Sequence, residues 1–143
     1  MSASALYNRD ILRLAASLEE GAALPPPASH AERRSPTCGS RVTLWVKRDG
    51  QGRIEQLSAD IASCALGQAS AAMLLRDAAG MDRAAVSAAR DAWADHLAGT
   101  GDVPAFADAA LLTPARDYPA RHPAILLPWD ALLAALDQSE TAA

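Results

Sequence analysis

At 143 residues and 14.9 kDa the chain has the size of one ordinary domain. Half of it is hydrophobic, yet 35 of those residues are alanine, which leaves about a quarter as larger apolar side chains and points to a modest, helix-rich core. A net charge of −4, a pI near 5.2 and no basic run longer than two residues exclude a general polyanion binder and with it nucleic acid as a partner. No apolar stretch reaches the roughly 18 residues that cross a bilayer. The N-terminus also lacks a basic region followed by an apolar segment and cleavage site, so the expected location is cytoplasmic and away from membrane.

The first predicted element is an amphipathic helix over 5–20, where Leu6, Ile11, Leu14, Ala15 and Leu18 recur near one helical face before Gly21. From 21 to 36 the chain carries Pro25, Pro26, Pro27 and Pro36 among polar residues. Proline removes a backbone donor and biases its predecessor toward extended backbone, so this stretch reads as a Pro-rich loop. The period then changes to two: Val42, Leu44 and Val46 alternate with Arg41, Thr43, Trp45 and Lys47, and a second apolar-rich run spans Ile54 to Ile61. Asp49-Gly50-Gln51-Gly52 supplies the turn, giving a hairpin of 41–48 with 53–61.

Ala65 to Ala79 is dense in Ala, Leu and Met and ends at Gly80, so a buried helix is predicted directly after Cys64. Asp82 caps a further predicted helix to about Leu97, with Val86, Ala89, Trp93 and Leu97 along one stripe. A shorter helix is predicted over Pro104–Leu112 and a last one over Ala124–Leu136, kinked by Pro128 unless it begins later. Residues 137–143 are expected to be a disordered tail. The expected fold is therefore a single α+β domain over 1–143: an N-terminal helix and a small antiparallel sheet packed on a C-terminal group of about four helices.

The two cysteines, Cys38 and Cys64, are too few for a disulfide framework and too far apart for a CxxC motif. Each falls at an element boundary, Cys38 just before the first strand and Cys64 just before the long helix. A thiol at a helix N-terminus faces the positive end of the backbone dipoles, which favours the thiolate that binds metal or sulfur. Gly39 and Gly67 allow backbone to come close to a bound ion. Spacing alone leaves open that the cysteines are two small buried thiols. His96, beside Asp95 and near Trp93, reads as structural, and His30 as an exposed loop residue. Arg33-Arg34 reads as a solvated pair or a contact for an acidic partner. Trp45 and Trp129 mark either an interaction face or aromatic core packing. No GxSxG elbow, P-loop or dinucleotide fingerprint is present, so nothing marks the chain as an enzyme.

Several short segments in order resemble the U-type iron–sulfur cluster assembly scaffolds, the family of IscU, SufU and the N-terminal domain of NifU. They are Leu6-Tyr7; Thr37-Cys38-Gly39 entering Val42-Thr43-Leu44-Trp45-Val46; Ile54; Ser63-Cys64-Ala65-Leu66-Gly67-Gln68-Ala69-Ser70; and Tyr118-Pro119-Ala120-Arg121 before a helix with Leu127 and Trp129. The last segment and the long spacing from Cys64 to it resemble the SufU branch, and the Leu-Pro-Pro-Val-Lys segment of the IscU branch is absent. The resemblance implies a compact α/β fold in which three cysteines and one aspartate hold zinc or a nascent [2Fe–2S] cluster. It also implies a cysteine desulfurase and apo iron–sulfur proteins as partners.

Carried over residue by residue, two ligand positions fall on Cys38 and Cys64, the aspartate position falls on Ser40, and the third cysteine falls on Ala124. That third cysteine resembles the family's sulfur acceptor, and an alanine methyl accepts no sulfur and binds no metal. His122 is a candidate third metal ligand through its imidazole, against an ordinary loop histidine. The expected function is a scaffold or carrier, without turnover, that binds iron, zinc or [2Fe–2S] through Cys38 and Cys64. It would act as a monomer, or as a homodimer in which two cysteine pairs supply four thiolates. The other readings are a scaffold paralogue that has lost cluster binding and serves as an interaction or regulatory module, and a cysteine-based sulfur transferase with Cys64 as its persulfide-forming thiol.

Overall fold

The computed structural model describes residues 6–19, 21–36 and 39–140; Cys38 and the last three residues of the expected tail lie outside them. The first helix described in full, α1, covers Arg9–Ala16, with the Asn8 side chain accepting from the Ile11 amide at 3.0 Å to set its start; residues 5 and 20, the ends of the predicted helix, lie outside the described residues. Its inward stripe is as predicted: Ile11, Leu14 and Ala15 are buried together with Leu6.

The Pro-rich stretch contains a strand that its sequence does not announce. β1, Ser29–Arg34, pairs antiparallel with β2, Arg41–Arg48, which pairs in turn with β3, Ile54–Ala62, in the order β1-β2-β3. Ser-His-Ala-Glu-Arg-Arg has neither the β-branched residues nor the alternation of an autonomous strand. It is a strand because β2 offers it an edge in the register Ser29 to Val46 through Arg34 to Arg41. The hairpin agrees with expectation to within a residue. Asp49 accepts from the amides of Gln51 and Arg53, which holds its carboxyl below the usual carboxylate range, and Gly52 takes φ +79°.

Val42, Leu44 and Val46 turn one face of β2 inward. The last helix, α4 (His122–Leu136), lies across β1 and β2. α2 (Ala65–Asp77) packs between α1 and α4, and α3 (Arg83–Leu97), capped as predicted by Asp82, packs on α4. The segment predicted as a helix over 104–112 is instead a 3₁₀ helix over Ala109–Asp117, followed by a 3₁₀ turn at Pro119–Arg121. Pro114 lies inside the first of these, where its missing N–H rules out a regular α-helical ladder.

α4 begins earlier than predicted and runs through Pro128. Pro128 cannot donate to the Ala124 carbonyl, and one residue on, the Ile125 carbonyl accepts the buried Ser70 hydroxyl of α2 at 2.6 Å. A neighbouring helix thus docks where the ladder is interrupted. Trp129 is core, its ring 5.4 Å from Phe106, which stacks on Trp93 at 6.4 Å. Trp45 is half-buried and stacks with His30.

The expected tail is tethered over its first residues. Arg83 forms an ion pair with Asp137. Arg48 donates to the carbonyls of Leu136 and Gln138, each at 2.7 Å, and its Nε lies 3.4 Å from Glu140. Arg48 thereby satisfies the last carbonyl of α4, and together these contacts hold residues 137–140 on the surface.

Candidate functional site

Three boundaries meet at one end of the sheet: the entry to β2, the exit of β3 into α2, and the 3₁₀ turn before α4. A shallow cavity of about 290 Å³ there is lined by Gly39, Ser40, Ala62, Ser63, Cys64, Arg121 and Ala124. Gly39, Ser63, Cys64 and Arg121 are placed by the element boundaries at which they sit. Gly39 takes φ +70°, the left-handed turn by which the chain enters β2. Ser63 and Cys64 lie between the end of β3 and the first turn of α2, and Cys64 is the N-cap residue of that helix. Arg121 holds the same position at the start of α4.

The cavity's chemistry is sparse. Cys64 is a partly exposed free thiol beside a helix N-terminus that no side chain caps. Ser40 is buried, and its hydroxyl lies 3.0 Å from that of Ser63, so these two oxygens share a hydrogen bond inside the cavity. Ala124, almost fully buried, presents a methyl group. Gly67 backs the site from the first turn of α2, where a Cβ would collide with Ser63 Oγ and lie 3.2 Å from the Ala124 carbonyl. The site's wall is therefore made by close packing of two helices, with Gly67 as the residue that permits it.

The structure separates the remaining candidate ligand from this cavity. His122 begins α4 but lines a different surface pocket with Arg34, Pro36, Arg90, Pro119 and Leu126. Its Nε2 lies 2.8 Å from the Ala115 carbonyl. A carbonyl only accepts, so Nε2 carries the hydrogen and Nδ1 is the nitrogen left for a metal. His96 is buried and held at both nitrogens, by the Gly101 carbonyl at 3.1 Å and Thr113 Oγ1 at 2.9 Å, as befits a structural residue.

Among the described residues no group of three or more His, Cys, Asp or Glu side chains is placed to hold a metal ion. Structural zinc and iron–sulfur iron take four donors, and this cavity offers one thiol, two hydroxyls bonded to each other and a methyl. The described residues alone do not complete such a coordination sphere. Arg121 belongs to the Tyr118–Arg121 segment that carries the resemblance, but nothing in the sequence marks it as a cavity residue. Only the turn at Pro119–Arg121 swings it onto the cavity rim, and no local signal in the chain announces that turn.

No helix among the described residues is long and apolar enough to cross a membrane. No protein-family model matches the sequence, and no curated protein matches it closely. Solved structures do. A protein from Fervidobacterium islandicum AW-1, named for a scaffold role in iron–sulfur cluster assembly by the SUF system, superposes with TM-score 0.84 over 95% of this chain and 100% of its own; at 21% identity it shows the fold alone. A nitrogen-fixing NifU-like protein (N-terminal part) from Brucella abortus superposes with TM-score 0.86 and is 36% identical over 93% of each chain. Together with the ordered segments around Cys38, Cys64 and Tyr118, that identity over nearly the whole length shows that the chain belongs to the NifU-like family of U-type scaffolds.

Proposed function

We propose that this protein is a scaffold or carrier in iron–sulfur cluster assembly, holding iron, zinc or a [2Fe–2S] cluster through Cys38 and Cys64 without turnover of its own. One observation carries the reading: Cys64 and Gly39, the covalent neighbour of Cys38, line the same open cavity at the end of the sheet. A soft cation entering there meets the Cys64 thiol beside the positive end of α2. A role for His122 as a further ligand uses Nδ1 and needs its ring to leave the pocket it now lines. By family, a cysteine desulfurase would supply sulfur and apo iron–sulfur proteins would receive the cluster, in the cytoplasm.

Anaerobic reconstitution with iron and sulfide tests this reading. Visible sulfur-to-iron absorption bands and bound metal are expected from the parent protein and not from a Cys38→Ala/Cys64→Ala variant. Absence of both bands and metal from the parent protein refutes the proposal.

A second reading is supported by the Ser40–Ser63 hydrogen bond and by the Ala124 methyl, since the resemblance implies metal donors at positions 40 and 124. In it the chain keeps the fold and the docking surfaces but no cluster, and acts as an interaction module. The same double variant then leaves the protein's cellular role intact, whereas the first reading requires its loss.

A further inference from the structure

We infer that the free edge of β1 docks an extended acidic segment of a partner protein, which pairs with it as a further strand and lays apolar side chains into the groove between β1 and α4. In the sheet β1 has one neighbour, β2, so its other edge is open. The ladder fixes which groups lie on that edge. The Ala59 carbonyl points away from β2, toward the Gly21 amide; Ala59 stands opposite Leu44, and Leu44 opposite Ala31. Alternation along an antiparallel ladder then turns the N–H and C=O groups of Ala31 and Arg33 toward β2 and those of His30, Glu32 and Arg34 outward. Among the described residues these outward groups have no backbone partner, and the Glu32 carbonyl accepts only from the Arg33 guanidinium, at 3.0 Å. Such an edge can take an incoming strand, with main-chain bonds giving affinity and alternate side chains giving specificity.

The groove beside this edge has a volume of about 430 Å³ and an apolar floor that includes Pro36, Pro119, Pro123 and Leu126, with Arg34 and Arg90 at its rim. Proline rings keep their shape without further loss of freedom, so the floor is preorganised for an apolar side chain. The acids nearby are already engaged: Asp130 lies 2.8 Å from Arg90 Nε and Glu32 lies 3.2 Å from Arg34 Nε. Arg33 is exposed and has no acidic partner among the described residues. In a chain of net charge −4 this edge is therefore locally cationic. Two copies of the chain would set one cationic edge against another, whereas an acidic strand meets both arginines with opposite charge. No residue of this groove lines the cavity of Cys64, so the surface serves the protein whether or not that cavity holds metal.

The test uses the full chain and a synthetic peptide of alternating aspartate and valine, six residues long like β1, with binding read by fluorescence anisotropy and pairing read by amide hydrogen exchange. Binding is expected, with slowed exchange at Glu32 and Arg34 and little change at Ala31 and Arg33, whose amides already face β2. Arg33→Glu/Arg34→Glu is expected to bind the peptide roughly tenfold or more weakly; both side chains are exposed, so the fold is kept. Putting lysine for aspartate, serine for valine, or N-methyl groups on the peptide's amides should each abolish or sharply weaken binding, since these changes remove the charge, the groove contact and the main-chain bonds in turn. Equal binding by the lysine peptide or by the reversed variant overturns the inference. So does a peptide that binds without protecting Glu32 and Arg34, or one that fails to bind at millimolar concentration. A dimer of the unliganded chain that protects the same two amides assigns the edge to a second copy and overturns the acidic partner as well.

Discussion

Replacing Gly67 with alanine sets two well-defined effects against each other at the back of the cavity. At the third position of α2 the change is favourable by at most about 1 kcal/mol on helix propensity alone. Against it, the new Cβ would overlap Ser63 Oγ, approach Ser63 Cβ to 2.8 Å and the Ala124 carbonyl to 3.2 Å. Rotating Ser63 moves its oxygen but not its Cβ, so the loop or the α2–α4 contact must also shift, and overpacking of this kind costs roughly 1–3 kcal/mol. The hydroxyl leaves Ser40 as well, forfeiting a hydrogen bond worth about 1 kcal/mol. The sum is a destabilisation of roughly 1–3 kcal/mol. Urea denaturation of Gly67→Ala should show a lower midpoint at unchanged slope, and Ser63→Ala in the same background should restore part of the loss by removing the colliding oxygen. A Gly67→Ala protein as stable as the parent, or more so, refutes the packing account of this site.

Three further outcomes follow from contacts away from the cavity. Ser70→Ala removes a fully buried hydroxyl from the Ile125 carbonyl, beside the interruption made by Pro128, and should cost about 1–2 kcal/mol in chemical denaturation. Arg48→Met keeps the aliphatic stem but loses the donors to Leu136, Gln138 and Ser29, and should lower stability by about 2 kcal/mol while speeding carboxypeptidase digestion through residues 137–140; an unchanged rate through those residues counts against the tether. Arg83 holds the Asp137 carboxyl below the usual carboxylate range. Because the folded-state value is the lower one, this pair's stabilisation is complete above about pH 5 and is lost as pH falls through the folded value. Thermal midpoints of the parent and Asp137→Asn should therefore differ slightly at neutral pH and draw together in acid, and a gap that does not narrow as pH falls below about 4 contradicts the assignment.

What the sequence determined by itself was local. The period of two in Val42–Val46, the Asp49–Gly52 turn, the Asp82 cap and the Ala-rich run after Cys64 each carry enough information within a few residues to fix an element and its inward face. The ordered segments around both cysteines identified the family, and the substitutions Ser40 and Ala124 were legible as letters. Tertiary structure decided the rest. β1 is a strand only because β2 and α4 receive it, its buried Ser29 hydroxyl donating to the Ala135 carbonyl more than a hundred residues away. Pro128 sits in α4 one turn after the Ile125 carbonyl that Ser70 of α2 bonds, a pairing of helices that its local sequence does not encode, and the early tail stays in place because Arg48 reaches across from the sheet. The cavity itself belongs to this second class. Cys64, Ser40, Arg121 and Ala124 come together from three separate boundaries, and such proximity is set by packing between elements, which no short window of sequence encodes.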